Sequence, residues 1–198
     1  MLLGKLCWRL SILSKFSSNF KYKDLDFSEN ELLQEYDNCT FINCTFNNAS
    51  SVKFEDCNFN ACDFSNCKLD NTTFKEAVFQ DCKLIGLHFD DCKEFLLSFS
   101  FENCNLQFST FFSCNIPETT FKNCNLTDVD FTDVKLAKSE FINCNLNSAI
   151  FENSNLQHCD FTTAYSFSIN PTNNKVSKAR FSKGNSFGLL DSFNIIID

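Results

Sequence analysis

The sequence predicts an all-β solenoid, a chain wound into stacked square coils, and three observations predict it. The hexapeptide Phe101-Glu102-Asn103-Cys104-Asn105-Leu106 returns as Phe121-Lys122-Asn123-Cys124-Asn125-Leu126 and as Phe141-Ile142-Asn143-Cys144-Asn145-Leu146, a repeat of 20 residues. Inside it a large apolar residue recurs every fifth position, at Phe101, Leu106, Phe111, Ile116, Phe121, Leu126, Phe131, Leu136, Phe141, Leu146, Phe151, Leu156 and Phe161, with a small residue two places before most of them. Finally, 26 Phe stand against one Trp and one Met, as if a single core slot were used over and over.

A beat of five fits neither the 3.6 of a helix nor the 2 of a strand, so the unit must turn a corner after each step. Four such steps in 20 residues close one square coil. Successive coils then stack like adjacent strands, about 4.8 Å apart, and set like residues into columns. The beat runs back through Phe89, Leu84, Phe79, Phe74, Leu69, Phe64, Phe59 and Phe54, then, after three extra residues, through Phe46, Phe41 and Tyr36, with a two-residue surplus between Cys92 and Phe101. On that register one face has Phe59, Phe79, Phe101, Phe121, Phe141 and Phe161 at its centre. The opposite face has Phe46, Leu69, Phe89, Phe111, Phe131 and Phe151. Gly and Pro, at four and two, are too few for the corners, so Asn43, Asn66, Asn103, Asn123 and Asn143 are expected to take them, since Asn tolerates left-handed turns.

The quintets Cys-Asn-Leu-Thr-Asp (124 to 128), Val-Asp-Phe-Thr-Asp (129 to 133) and Cys-Asp-Phe-Ser-Asn (62 to 66) resemble the A(D/N)Lxx pattern of the pentapeptide-repeat family, over residues 34 to 168. The resemblance implies a right-handed quadrilateral β-helix, here of about six coils, closed by a C-terminal helix through which two protomers dimerise. Qnr-type members are similar in length, acidity and C-terminal apolar helix. They engage DNA gyrase and topoisomerase IV and protect them from quinolones. Many of them bear long loops, whereas this chain has only small insertions near Ala49-Ser50-Ser51 and Phe95-Leu96.

Thirteen cysteines raise the alternative of a disulfide or metal scaffold. Twelve of them, all but Cys7, fall at the small position two before a central residue, which points inward, where a free thiol behaves as a compact hydrophobe. Cys39, Cys62, Cys82, Cys104, Cys124 and Cys144 are expected to share one column, close enough to be bridged, but buried reduced thiols are the preferred reading. His88 and His158 point outward with no outward cysteine beside them, so no metal site is expected. With reduced thiols, a reducing, cytoplasmic compartment is expected.

The formal charge is −8, but residues 1–23 hold five bases and no acid, leaving 12 basic against 25 acidic residues in the rest. On the Leu69 face the outward residues include Asp70, Asp90, Asp91, Asp130, Asp133 and Glu152, with Lys68 the only base. Such charge can serve only to keep exposed repeats apart in solution, or, since these acids form a stripe, to meet a protein partner; direct binding of nucleic acid or of a membrane is not expected.

Three segments follow. Residues 1–23 place Leu2, Leu3, Leu6, Leu10, Leu13, Phe16 and Phe20 at helical spacing among bases: a helix capping the first coil, a membrane-surface segment, or a stretch with no structural role. A secretory signal is not expected, since Lys5 and Arg9 break the apolar run. Residues 24–168 are the β-helix, with Phe27 and Tyr36 as early core anchors. Residues 169–198 begin with a turn-rich loop (169 to 175), regain the beat at Phe181, and end in a short helix bearing Phe187, Leu189, Leu190 and Phe193, N-capped by Ser186, then an Ile195-Ile196-Ile197 strand. This segment covers the open end of the coil, and its surplus of apolar side chains is read as a homodimer surface.

A filled square coil leaves no interior pocket where polar groups converge, and no activated nucleophile or glycine-rich phosphate loop stands in the sequence, so an enzyme or a cofactor site is not expected. Two functions remain. One is a DNA mimic that binds type II topoisomerase through the acidic face; the alternative is a scaffold with an unrelated protein partner.

Overall fold

The computed structural model describes residues 15–196 other than 96 and 194. The chain is a parallel β-solenoid with four faces. One face is a sheet of β1 (Phe16–Ser18), β3 (Glu35–Asp37), β5 (Lys53–Glu55) and β7 (Thr73–Lys75). A second is a sheet of β2 (Lys21–Lys23), β4 (Thr40–Ile42), β6 (Asn58–Asn60), β8 (Ala77–Gln80), β9 (Phe99–Glu102), β10 (Thr120–Lys122) and β11 (Glu140–Ile142). The other two faces are joined by single parallel bridges, such as Asp63 to Lys83 and Thr110 to Asp130. The strands are short because a corner follows every face.

The second face carries one unbroken ring stack, Tyr22, Phe41, Phe59, Phe79, Phe101, Phe121, Phe141, Phe161 and Phe181, with neighbouring centroids 4.6 to 5.4 Å apart. Opposite it, Phe89, Phe111, Phe131 and Phe151 stack at 4.4 to 5.3 Å. Rings of the two stacks meet edge to face about the axis, as Phe121 does with Phe111 and Phe131 at 6.0 Å. Offset stacking along the rod and edge-to-face contact across it are the two arrangements that the ring quadrupole favours.

Most corners turn on a residue with positive φ. The five predicted asparagines lie at φ 49 to 54°, and the same conformation recurs at less tolerant residues, among them Ala61, Glu76, Phe108, Lys138 and His158. Corner amides also bond along the rod: Asn123 Nδ2 donates to Asn103 Oδ1 at 3.0 Å, and Asn103 Nδ2 to Asp81 at 3.0 Å.

Several expectations need correction. Phe46 does not lie on the Leu69 face: Thr45 bridges Asp63, and the Phe46 ring stacks on Phe64 at 4.1 Å. Asn48 bridges Lys68, so the small Ala49 is the residue level with Leu69. The coil from Tyr36 to Phe54 is therefore two residues short rather than three long, because Ala49 centres a face only three residues after Phe46. For the same reason Cys44, not Cys39, heads the column of Cys62. The two-residue surplus before Phe101 is present, since Phe79 pairs with Phe101.

The coil also begins earlier than expected. Strands β1 and β2 lie within residues 1–23, and Ser17 takes the central position below Tyr36. The helix expected there falls mostly on residues 1–14, outside the described residues. At the other end, the segment from 169 to 175 keeps the stack: buried Asn174 donates to the Phe151 carbonyl at 2.8 Å, accepts from the Ser154 N–H at 2.9 Å, and Lys175 bridges Asn155. The C-terminal helix is two 3₁₀ turns, Ser186–Leu189 and Asp191–Phe193. The first is preceded by Asn185 rather than capped by Ser186. So few residues make a marginal α-helix, and the tighter turn suits them. Ile195 and Ile196 are not in a strand, and Ile197 lies outside the described residues.

The small inward positions hold donors for a reason the sequence did not announce. Cys62, Cys82, Cys104, Cys124 and Cys144 place Sγ 3.3 to 3.6 Å from the carbonyls of Phe41, Phe59, Phe79, Phe101 and Phe121 in the coil below. Where Cys is replaced, Ser109 and Thr72 donate in the same way to Leu84 and Ala49, at 2.7 and 2.8 Å. The twelve described cysteines are free and buried, and burial pushes the thiols of Cys57, Cys67, Cys114 and Cys159 up to about 12. These four are thus held protonated, all twelve are shielded from solvent, and only an accessible thiolate reacts. A maleimide reagent at neutral pH is therefore expected to label none of the twelve in the native protein and all of them after denaturation. Fast labelling of Cys104 or Cys124 in the native state would show that the coil opens.

Candidate functional site

Charge is handled differently on different faces. On the first sheet Lys53 bridges Glu35 and Glu55 at 2.7 and 2.8 Å, and Lys75 pairs with Glu55. Hydrogen bonds from Lys53 and then Lys75 hold the Glu55 carboxyl down at about 2. Elsewhere Lys122 pairs with Glu102, Lys138 with Glu118 and Arg180 with Asp160, at 2.7, 2.7 and 2.9 Å. In each case a base sits level with an acid one coil away.

The Leu69 face lacks that pairing. Residues flanking each central position point outward, so Asp70 and Asp90 stand in successive coils on one side of the centre, and Asp130 on the other side higher up. Glu152 continues the Asp70 line, and Asp133, at φ 57°, forms the corner below it. Asp90 and Asp91 belong to a 3₁₀ turn, Phe89–Asp91. The structure thus brings Asp70, Asp90, Asp91, Asp130, Asp133 and Glu152 to one face. Among the described residues none has a Lys or Arg partner. Asp90 approaches only His88, at 3.8 Å, and burial lifts its carboxyl above the ordinary range. Asp130 Oδ1 accepts the Thr132 N–H at 2.8 Å, Asp70 accepts from Ser50 at 3.1 Å, and Glu152 from Asn173 at 3.2 Å.

The acidic run is interrupted. At the coil of Phe111 the outward residues are Thr110, Phe112 and Ser113, and Ile150 stands above Asp130. Phe108, Phe112 and Ile150 are exposed. Counting acids against bases did not find these residues, although a Phe out of step with the five-residue beat is a usable signal.

At the C-terminus Phe187, Leu190 and Phe193 are exposed, as are Ile195 and Ile196. Leu189, expected at the partner surface with them, is instead partly buried against the core. The cap docks through Gly188, whose carbonyl accepts the Ile169 N–H at 2.9 Å. A Cβ there would collide with the Phe167 carbonyl and stand 2.7 Å from its ring. No described helix is long and apolar enough to cross a membrane.

Comparison with known proteins agrees with this geometry. The pentapeptide-repeat region model matches residues 88–161 and the model of pentapeptide repeats in eight copies matches residues 57–93, together more than half of the chain. The chain belongs to the pentapeptide-repeat family. No curated protein matches it. Among solved structures, a trypsin-treated form of QnrB1, a plasmid-mediated fluoroquinolone resistance protein, is similar with a TM-score of 0.62 and 15% identity, over 92% of this chain and 100% of that one. Full-length QnrB1 gives 0.53 and 16%, over 91% and 100%. At such identity the likeness shows that this pentapeptide-repeat chain shares their fold.

Proposed function

We propose that this pentapeptide-repeat protein is a non-enzymatic binding protein of Qnr type. Its acidic face mimics DNA in the basic saddle of a type II topoisomerase, DNA gyrase or topoisomerase IV, and so protects that enzyme from quinolones. The observation that carries the reading is where the ion pairs fall: the acids that do have a Lys or Arg partner, among them Glu55, Glu102, Glu118 and Asp160, lie on other faces, and among the described residues the six acids of the Leu69 face have none. Unpaired carboxylates on a rigid rod offer a fixed field to lysines and arginines that otherwise hold phosphates. The shared fold with a fluoroquinolone resistance protein supports it further. Buried free thiols fit a reducing cytoplasm, and the exposed Phe187, Leu190 and Phe193 fit a homodimer.

Converting Asp90, Asp91, Asp130 and Asp133 to Asn preserves size and corner chemistry while removing four charges. Binding to gyrase is expected to weaken by about tenfold or more at low salt, and its salt dependence to flatten, because screened charge attraction is what the variant loses. An unmodified protein that neither binds gyrase at low salt nor relieves quinolone inhibition of supercoiling leaves the alternative, a scaffold for another protein.

A further inference from the structure

Three rings sit on or beside the acidic face, outside the core. Phe95 is 79% exposed, Phe108 61% and Phe112 45%. Phe112 occupies the line of Asp70, Asp90 and Glu152, and Phe108 the corner that opens the same face. Phe95 lies in the two-residue excursion after Cys92, one coil lower and just past the far corner, so coils about 4.8 Å apart carry all three. They form an oblique band across the run, with Asp70 below it, Asp90 and Asp91 level with Phe95, and Asp130, Asp133 and Glu152 above.

Nothing in the fold requires rings there. Core phenylalanines stack in columns, whereas no ring contact is made by these three among the described residues. Phe108 also holds φ at 60°, a conformation costly for a bulky side chain and filled at most other corners by Asn, Asp, Ser or Glu. Local strain and exposed aromatic area, with no packing return, mark a surface shaped for a partner.

The flanking charge says which partner. Six carboxylates repel a nucleic acid or an anionic membrane, and they match a protein surface with lysines or arginines around an apolar recess. Rings ringed by charge are the usual plan of a binding hot spot, and a basic side chain also packs well on an aromatic face. We infer that Phe95, Phe108 and Phe112 are the apolar anchor of the acidic face, inserting into an apolar recess bordered by bases on the partner protein. This rests on the topoisomerase reading above and adds to it: the face presents a contact that a DNA duplex does not make, so the chain grips a site adjoining the phosphate-binding groove as well as the groove itself.

The test compares three full-length proteins binding intact gyrase at two salt concentrations: the unmodified chain, the four-Asn variant, and Phe95→Ser with Phe108→Asn and Phe112→Ser. Because the rings are exposed and Asn suits the corner, the aromatic variant should melt no lower than the parent. It is expected to bind about 30-fold more weakly, chiefly through faster dissociation, with the salt slope unchanged. If the aromatic variant binds like the parent while the four-Asn variant is weakened, the anchor is overturned and the mimic stands. If the unmodified chain does not bind gyrase, the mimic falls, and the anchor proposed for its partner falls with it.

Discussion

Replacing Phe121 by Ala is expected to destabilise the protein by about 3 to 5 kcal/mol, the usual cost of emptying an aromatic site in a close-packed core. The rod gives this site unusually little freedom to collapse. Phe121 stacks between Phe101 and Phe141 at 5.1 Å on both sides and meets Phe111 and Phe131 edge-on at 6.0 Å, so the cavity is walled by four rings that are themselves held in columns. Strand β10 is hydrogen-bonded to β9 and β11, which fixes the spacing of the ladder whatever the side chain. For a chain of this size the loss corresponds to a melting temperature lower by about 10 °C. Calorimetry measures it, and a shift within a degree of the parent would contradict the stacked core.

The second large effect concerns assembly. Leu190→Asp combined with Phe193→Asp is expected to convert a homodimer into monomers. Both side chains are exposed at the capped end beside Phe187, Ile195 and Ile196, and a carboxylate placed in an apolar interface loses its hydration without a partner. The cap itself should persist, since its hold on the coil runs through Leu189, the Gly188 carbonyl and the Asn185 side chain, which donates to the carbonyls of Phe161 and Ala164 at 2.8 and 2.9 Å. Sedimentation velocity distinguishes the states; a monomer in the unmodified protein removes the proposal.

How far the sequence could be read depended on how loudly each position spoke. The 20-residue coil, the Phe stack from Phe59 to Phe161 and the asparagine corners follow from spacing alone, because large apolar residues fix the inward positions and few residues tolerate positive φ. Misreadings arose where a central position was small. Ala49 reads in the sequence as part of an insertion although it centres a face, and that shifts Phe46 to the wrong column. Ser17 carries no apolar signal, so β1 is not legible in the sequence. The six acids were legible as one face because an error at Phe46 does not propagate forward. The exposed rings were not legible as a band, since Phe95 and Phe108 come together only through a corner and an excursion. Ion pairing was hidden as well: it depends on which charges stand level one coil apart.

The coil has one more consequence, and it concerns change over time. Of every five positions, two face inward and one must bend at the corner; the two outward flanks are bound by neither duty. Core and surface are thus written in one chain as interleaved texts, and the second can be rewritten with little effect on the first. Lys122 beside Glu102 and Asp130 beside Ile150 are neighbours of equally buried rings. A lineage of such rods can exchange one partner for another by point substitutions on a flank while its folding stays untouched, and a designer can do the same by moving whole outward patterns from one coil to the next.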